Sequence, residues 1–178
     1  MKLSSEAEAV YRVQDYGQKP QIDGLAWVDL KRHVDEGGWM TELIRPGGTA
    51  LPGLEGFQVA QINYSSLEPG VVKAFHVHRR QTDLWFVPPE DRMLLIVADV
   101  RDGSPTKGTV VRMMLGAGRT GLVRIPPGVA HGARNLGPSA AGMIYFTDLE
   151  FSVDPKECDE GRLPWDFVGR EVWEIPWD

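Results

Sequence analysis

The sequence predicts an all-β protein whose antiparallel strands form a sandwich or a barrel. Short runs of apolar and β-branched residues recur from residue 56 onward, at 57–65, 71–78, 84–87, 93–100, 109–115, 121–125 and 141–147. Turn-forming segments separate these runs, among them Glu-Pro-Gly at 68–70, Asp-Gly-Ser-Pro at 102–105 and Pro-Pro-Gly at 126–128. Short strands joined by tight turns at regular spacing are typical of β-sandwiches and β-barrels.

Two more strands are predicted ahead of this region, at 26–30 and 39–44. The sequence predicts little helix. One short helix is expected at 5–12, because Ser4 or Ser5 can cap its first turn.

The C-terminal segment, 151–178, is rich in proline, tryptophan and acidic residues. We expect it to wrap the barrel, because its tryptophans Trp165, Trp173 and Trp177 are large apolar side chains that favour packing. The prediction is therefore a single domain over 1–178, with a barrel core at about 56–150.

The composition restricts the class of partner. A formal net charge of −6 and an isoelectric point near 5.2 argue against nucleic-acid binding, which needs concentrated lysine and arginine. The stretch 1–17 lacks the apolar core of a secretory signal, and no run approaches the roughly 20 apolar residues of a membrane span. Cys158 is the only cysteine, which excludes an intramolecular disulfide. The sequence therefore predicts a cytoplasmic protein without nucleic-acid or membrane partners.

The first segment with candidate functional residues lies at 70–83 and contains two histidines. Side chains alternate faces along a strand, so His76 and His78 project to the same side. If that side is the interior, each imidazole needs a hydrogen bond, a metal or a substrate to offset the loss of water. Two surface histidines are the simpler reading of this motif taken alone.

A second segment carries His131 directly after the Pro-Pro-Gly turn at 126–128, where a new strand would enter the same end of the barrel. The two segments together resemble the paired motifs of cupins, G-x5-H-x-H followed by an acidic residue, and P-x-G-x2-H-x3-N. Asp83 stands in place of the usual glutamate. The resemblance implies a cupin fold, a jelly-roll barrel also described as a double-stranded β-helix.

Within cupins, the chain resembles the dTDP-4-dehydrorhamnose 3,5-epimerase family, whose members act on nucleotide-linked 4-keto sugars. The segments that carry the resemblance lie in the family's order, at 35–42, 61–65, 73–76, 99–106, 125–132 and 144–147. Two positions depart from the family pattern. Gly37 stands where the family has an arginine for the nucleotide phosphates, and Asp83 stands near its enolate-stabilising lysine.

The resemblance implies roles for individual residues in an epimerase or isomerase of carbohydrate biosynthesis. His76 would be the base that removes the α-proton, and Tyr145 would be the acid facing it across the barrel. The implied substrate-binding residues are Lys73 and Arg124 for the diphosphate, and Asn63, His78, Gln81, Asp83 and His131 around the sugar. The family orients its base with a C-terminal aspartate, for which Asp166 and Asp178 are the candidates. The resemblance also implies a homodimer formed through N-terminal strands, and no cofactor.

Two other functions remain open at this point. His76, His78, Asp83 and His131 are a credible ligand set for a divalent transition metal, which would make the chain a metal-dependent cupin enzyme. A non-catalytic sugar-binding cupin is the third reading, and it would be favoured if Tyr145 pointed away from His76.

Overall fold

Two five-stranded antiparallel sheets form the molecule in the computed structural model, which describes residues 1–14, 16–17, 19–47 and 51–176. In chain order the strands are β1 (Ala26–Asp29), β2 (Arg32–Asp35), β3 (Gly38–Thr41), β4 (Gln61–Leu67), β5 (Val72–Val77), β6 (Asp83–Phe86), β7 (Arg92–Asp99), β8 (Val110–Gly116), β9 (Gly121–Ile125), β10 (Val129–Asn135), β11 (Ala141–Thr147) and β12 (Gly161–Arg162). One sheet has the order β1-β9-β6-β11-β4 and the other β12-β5-β10-β7-β8, while β2 and β3 form a separate hairpin. The predicted all-β jelly-roll architecture is confirmed.

The main core lies between the two sheets, because alternate side chains of each strand point inward. On β9, for example, Val123 and Ile125 belong to this core, whereas Leu122 packs on the outer face. Segments outside the sheets cover both outer faces. Apolar side chains at 43–44 and 51–59 pack against the first sheet, and apolar side chains at 163–173 pack against the second.

Close approach between β5 and β10 depends on Gly132. A Cβ built at Gly132 would lie 2.2 Å from the Cβ of Ala74, nearer than any real contact allows. Glycine is therefore required for these two strands to pair, and their pairing brings His131 directly opposite His76 in the register.

Several boundaries differ from the sequence-based prediction. The strand expected at 57–65 begins at Gln61, and the strand expected at 39–44 ends at Thr41. The short helix α1 spans Ser5–Val10, with Ser4 Oγ accepting a hydrogen bond from the Ala7 amide. None of the helix residues is buried, so the helix is stabilised by local capping and not by packing.

The part of the C-terminal segment at 161–173 packs on the second sheet. Strand β12 pairs with β5, and the Trp173 ring, 2% exposed, packs against Phe75 at a centroid distance of 5.4 Å. Trp165 remains 44% exposed, and Trp177 lies outside the described residues. The two sheets also extend past the expected core of 56–150, because β1 and β12 form their edges.

Among the helices of the described ranges, none is long and apolar enough to cross a bilayer.

Candidate active site

A cavity of about 660 Å³ opens between the two sheets. Most of the residues selected from the sequence line it: Lys73, His76, His78, Gln81, Asp83, His131 and Tyr145. Apolar side chains complete the wall, including Trp85, Met143 and Phe151. A concave site with an apolar wall and a few convergent polar groups is typical of small-molecule binding.

His76 is oriented by a carboxylate from the C-terminal segment. Its Nδ1 lies 2.5 Å from Oε1 of Glu160. The hydrogen bond from His76 lowers the pKa of Glu160, against the opposing effect of burial. With Nδ1 occupied by this carboxylate, Nε2 is the ring atom left for chemistry in the cavity.

Glu160 is the functional residue that sequence reasoning missed. Asp166, one of the two candidates, instead lies 3.4 Å from Arg170, and Asp178 is outside the described residues. No spacing rule connects residue 160 with residue 76. The contact exists because β12 pairs with β5, which places the residue preceding Gly161 beside the histidine.

Tyr145 lines the same cavity from the opposite sheet, since it lies on β11 while His76 lies on β5. Burial raises the pKa of Tyr145, and the negative charges of Asp83 and Glu160 add to this effect. The phenol therefore stays protonated at neutral pH and can donate a proton. A non-catalytic binding protein would be favoured if Tyr145 pointed away from His76. Tyr145 instead lines the cavity that holds His76, which favours an enzyme.

His78, Asp83 and His131 form the cavity floor, and each is at most 4% exposed. Nε2 of His131 lies 3.5 Å and Nε2 of His78 lies 3.9 Å from Oδ2 of Asp83. Burial alone would raise the pKa of Asp83, but the two histidines and the amide of Gln81 outweigh it and leave the pKa lowered. Asp83 is thus a buried, ionised carboxylate.

The floor is also where a metal could bind. One ligand atom from each of His78, Asp83 and His131 lies within 4.8 Å of the others, and no larger set of this kind occurs in the described part of the chain. His76, the fourth member of the set suggested by the sequence, is not in this group. Its Nδ1 is engaged by Glu160.

Asp159, next to Glu160, fixes the loop that follows β5. Its carboxylate accepts hydrogen bonds from the backbone amides of Arg79, Arg80 and Gln81, at 3.2, 2.8 and 2.9 Å. Its carbonyl oxygen accepts a hydrogen bond from Nδ1 of His78 at 2.8 Å. Consecutive residues of the C-terminal segment therefore orient both histidines of the H-x-H motif.

The remaining predicted residues fall in different places. Lys73 lines the cavity and is joined there by Arg162, a second cation that the sequence did not single out. Asn63 lies in an adjoining recess of about 230 Å³ that shares Gln81 and Tyr145 with the cavity. Arg124 is not brought to either space. It follows Val123 on β9, so it points to the outer face of the sheet, where its positive charge contributes to the lowered pKa of Glu55.

Comparison with known proteins shows the family of the chain. Residues 19–166 match the family model of dTDP-4-dehydrorhamnose 3,5-epimerase. The chain belongs to this family. The expected epimerase or isomerase of nucleotide-linked sugars, acting in carbohydrate biosynthesis, is confirmed by this membership and by the relatives that follow.

Three similar proteins illustrate the range of the family. The chain is 40% identical to the spore coat polysaccharide biosynthesis protein SpsL of Bacillus subtilis, over 82% of this chain and 91% of SpsL. It is 27% identical to the dTDP sugar isomerase of Desulfovibrio desulfuricans, with a TM-score of 0.71 and coverage of 88% and 92%. It is also 27% identical to a Legionella pneumophila 3,5-epimerase solved with dTDP-4-keto-L-rhamnose, with a TM-score of 0.65 and coverage of 74% and 70%.

Proposed function

We propose that the protein inverts a carbon next to the ketone of a nucleotide-linked 4-keto sugar, with His76 as base and Tyr145 as acid. The observation that carries this assignment is their position on opposite sheets of one cavity, with His76 held by Glu160. Epimerisation beside a ketone needs one group to remove a proton from one face and a second group to return a proton to the other.

The reaction balances with these two side chains alone. Nε2 of His76 takes the α-proton, and the electron pair of the broken C–H bond moves onto the ketone oxygen as an enolate. Tyr145 then donates its hydroxyl proton to the opposite face of the same carbon, and the enolate electrons form the new C–H bond. The imidazolium, stabilised by the Glu160 carboxylate, and the tyrosinate return to their starting states by exchanging protons with water. No redox or nucleotide cofactor takes part.

The polar residues around this pair are proposed to bind the substrate. His78, Gln81, Asp83 and His131 form the floor beneath the sugar ring. Asn63 extends the polar wall into the adjoining recess.

The cations Lys73 and Arg162 are the proposed contacts of the diphosphate, because both line the cavity and both can pair with phosphate oxygens. Arg124 is left out of the proposed site because of its outward position.

A homodimer is proposed as the working assembly. The hairpin of β2 and β3 is exposed on nearly every residue, with Val34 at 76% and Met40 at 59% exposure. A second copy that covered these side chains would remove their apolar surface from water, which favours association. Changing both Val34→Asp and Met40→Asp is expected to convert the dimer to a monomer in light scattering, unlike Val153→Asp in the C-terminal segment. A monomeric wild type would contradict the proposal.

The cytoplasm is the proposed compartment, supported by the single, unpaired Cys158. Cell fractionation with an antibody to the protein tests it, and recovery in the secreted fraction would contradict it.

Deuterium wash-in tests the assignment of the acid and the base. The protein is incubated in heavy water with a panel of nucleotide 4-keto sugars, and both exchange and inversion are followed by NMR. We expect His76→Ala to lose both, on the order of 10²-fold or more. Tyr145→Phe is expected to retain exchange from one face and lose inversion. Tyr64→Phe is the matched control, since Tyr64 is 73% exposed and points outward from β4. Full inversion by Tyr145→Phe would remove Tyr145 from the mechanism.

A further inference from the structure

We propose that Arg162 is a positioning residue that links the diphosphate of the substrate to the base through Glu160. Its guanidinium binds phosphate oxygens and the Glu160 carboxylate at the same time, so that substrate binding fixes the carboxylate that orients His76. This inference rests on the proposed function, because it takes His76 as the base and Arg162 as a contact of the diphosphate.

The pairing of β12 with β5 places Arg162 on the same face of the sheet as the base. Arg162 lies directly opposite His76 in the register, and residues opposite each other in an antiparallel pair share a face. Glu160, two residues before Arg162, reaches the same histidine. A Cβ built at Gly161 would lie 2.7 Å from the carbonyl oxygen of Val77, so glycine allows the close approach of the two strands. The carboxylate and the cation are therefore both brought to His76.

The backbone is held on both sides of Glu160 and Arg162. The amide of Leu163 donates to the carbonyl of Phe75 at 3.0 Å, and the amide of Phe75 donates to the carbonyl of Leu163 at 3.1 Å. Ahead of Glu160, the Asp159 carboxylate accepts the hydrogen bonds from the loop at 79–81. Both side chains are thus presented to the cavity from a restrained segment.

One oxygen of Glu160 is close to both partners. Oε1 lies 2.5 Å from Nδ1 of His76 and 3.3 Å from Nε of Arg162. The hydrogen bond from His76 lowers the pKa of Glu160 most, and the charge of Arg162 contributes as well. Whatever fixes the guanidinium therefore acts on the oxygen that orients the base.

The guanidinium of Arg162 keeps donors for a phosphate. Among the hydrogen bonds and ion pairs of the described ranges, the contact with Glu160 is the only one that its side chain makes. The side chain is 62% exposed and lines the cavity. Arginine carries its N–H donors in one rigid plane, whereas a lysine is a single point charge. Arg162 can therefore meet Glu160 through Nε and phosphate oxygens through its Nη groups, which a lysine cannot reproduce.

This link uses the binding energy of a remote part of the substrate at the reacting carbon. A partly exposed ion pair contributes little by itself, so Arg162 restrains Glu160 only weakly in the free protein. Once a phosphate holds the guanidinium, the carboxylate and the His76 ring lose freedom with it, and a base held in productive geometry reacts faster. The inference predicts an effect on kcat, whereas an arginine that only bound phosphate would affect KM.

Steady-state kinetics of the epimerisation separate these two roles. Arg162→Lys keeps the charge and loses the planar donors, so we expect kcat to fall on the order of 10-fold, with a smaller change in KM. Combining it with Glu160→Gln is expected to lower kcat no further than Glu160→Gln alone, because both changes act through one carboxylate. Arg170→Lys is the matched control, since Arg170 lies in the same segment, is 73% exposed in its side chain and does not line the cavity.

A second measurement is independent of turnover. Inorganic pyrophosphate is added to the full-length protein until calorimetry shows saturation, and the Nδ1–H resonance of His76 is followed by NMR. Its assignment comes from its loss in His76→Ala. We expect the resonance to shift in the wild type and to stay in place in Arg162→Lys, which still binds pyrophosphate through its charge.

The two measurements distinguish failure of this inference from failure of the proposed function. A wild type that shows the shift but exchanges deuterium with no 4-keto sugar keeps the link and loses the epimerase. An unchanged kcat in Arg162→Lys, or losses that multiply in the double variant, would overturn the inference and leave the base and the acid in place. A wild type that binds no pyrophosphate, or that shows no shift at saturation, would overturn it as well.

Discussion

Glu160 connects the C-terminal segment to the proposed base through its 2.5 Å approach to Nδ1 of His76. The carboxylate also lies 3.3 Å from Arg162 and 3.8 Å from Nε2 of His78. These cationic or potentially cationic neighbours explain why its pKa is lowered despite partial burial. Glu160 is therefore ionised at neutral pH and can stabilise the imidazolium that forms when His76 accepts a proton.

Replacing this charge tests its role. Glu160→Gln keeps the size of the side chain and removes its charge, so we expect kcat to fall by on the order of 10²-fold with KM nearly unchanged. Steady-state kinetics on the 4-keto sugar that gives the strongest wash-in measures both constants. Glu157→Gln is the control in the same segment, since Glu157 is exposed. An unchanged kcat would mean that the carboxylate only helps the tail to fold.

At the scale of elements, the long buried strand β7 was predictable from the sequence and the exposed strand β2 was not. Strand β7 was expected at 93–100 and spans Arg92–Asp99, because a short apolar run bounded by turn signals indicates a fully buried strand. Strand β2, Arg32–Asp35, is exposed throughout and pairs only with β3 among the described strands. With no face turned to a core, it leaves no apolar periodicity in the sequence.

The site was predictable to the same extent. His76, His78 and His131 share motifs of fixed spacing, so local sequence was sufficient to group them. Glu160 is 84 residues from His76 in sequence, and only the pairing of β12 with β5 joins them. For Arg124 the sequence-based prediction was wrong. Its charge suggested phosphate binding, but the alternation of β9 turns it to the outer face.

The hydrogen bonds between the C-terminal segment and the loop at 79–81 give a prediction about stability. Asp159 accepts three backbone hydrogen bonds from this loop with a largely buried carboxylate. Asp159→Ala leaves those amides without their acceptor, so we expect the free energy of unfolding to fall by about 1–3 kcal/mol. Hydrogen exchange should show lost protection at Arg80 and Gln81 first.

Glu157→Ala is the control for this change. Arg80 bonds the backbone carbonyl of Glu157, so that contact survives the removal of the side chain. If Asp159→Ala matched wild type both in urea denaturation and in exchange at these amides, the tail would not restrain the loop.

For the whole molecule, the lowered pKa values of its buried carboxylates determine how stability responds to acid. Asp83, Asp159 and Glu160 at the site all have lowered pKa values. So does Asp99, at the opposite end of β7 from Arg92. A carboxylate whose pKa is lower in the folded than in the unfolded state contributes stability above its unfolded value of about 4, and this contribution is lost as the pH falls through the folded value. We therefore expect stability to decline steeply below about pH 5.

Asp99 offers the cleanest test because it lies away from the proposed chemistry. Arg101 lowers its pKa most, with further hydrogen bonds from Ser104 and Thr106 that close the turn between β7 and β8. Asp99→Asn is expected to reduce the free energy of unfolding at pH 7 by about 1–3 kcal/mol. It should also flatten the decline that begins at about pH 5 and continues down to the lowered folded-state pKa of Asp99, since the group that would take up the proton is gone.

Urea denaturation at a series of pH values measures both effects of Asp99→Asn. Asp102→Asn, in the same turn, is the matched control, because its side chain is 95% exposed and its ion pair with Lys107 is a surface contact of little energetic value. The expected result is a curve for Asp99→Asn that converges on wild type as the pH falls, while Asp102→Asn follows wild type throughout. Parallel curves for wild type and Asp99→Asn would mean that this carboxylate does not take up a proton on unfolding. The acid sensitivity of the molecule would then have to come from the carboxylates at the cavity.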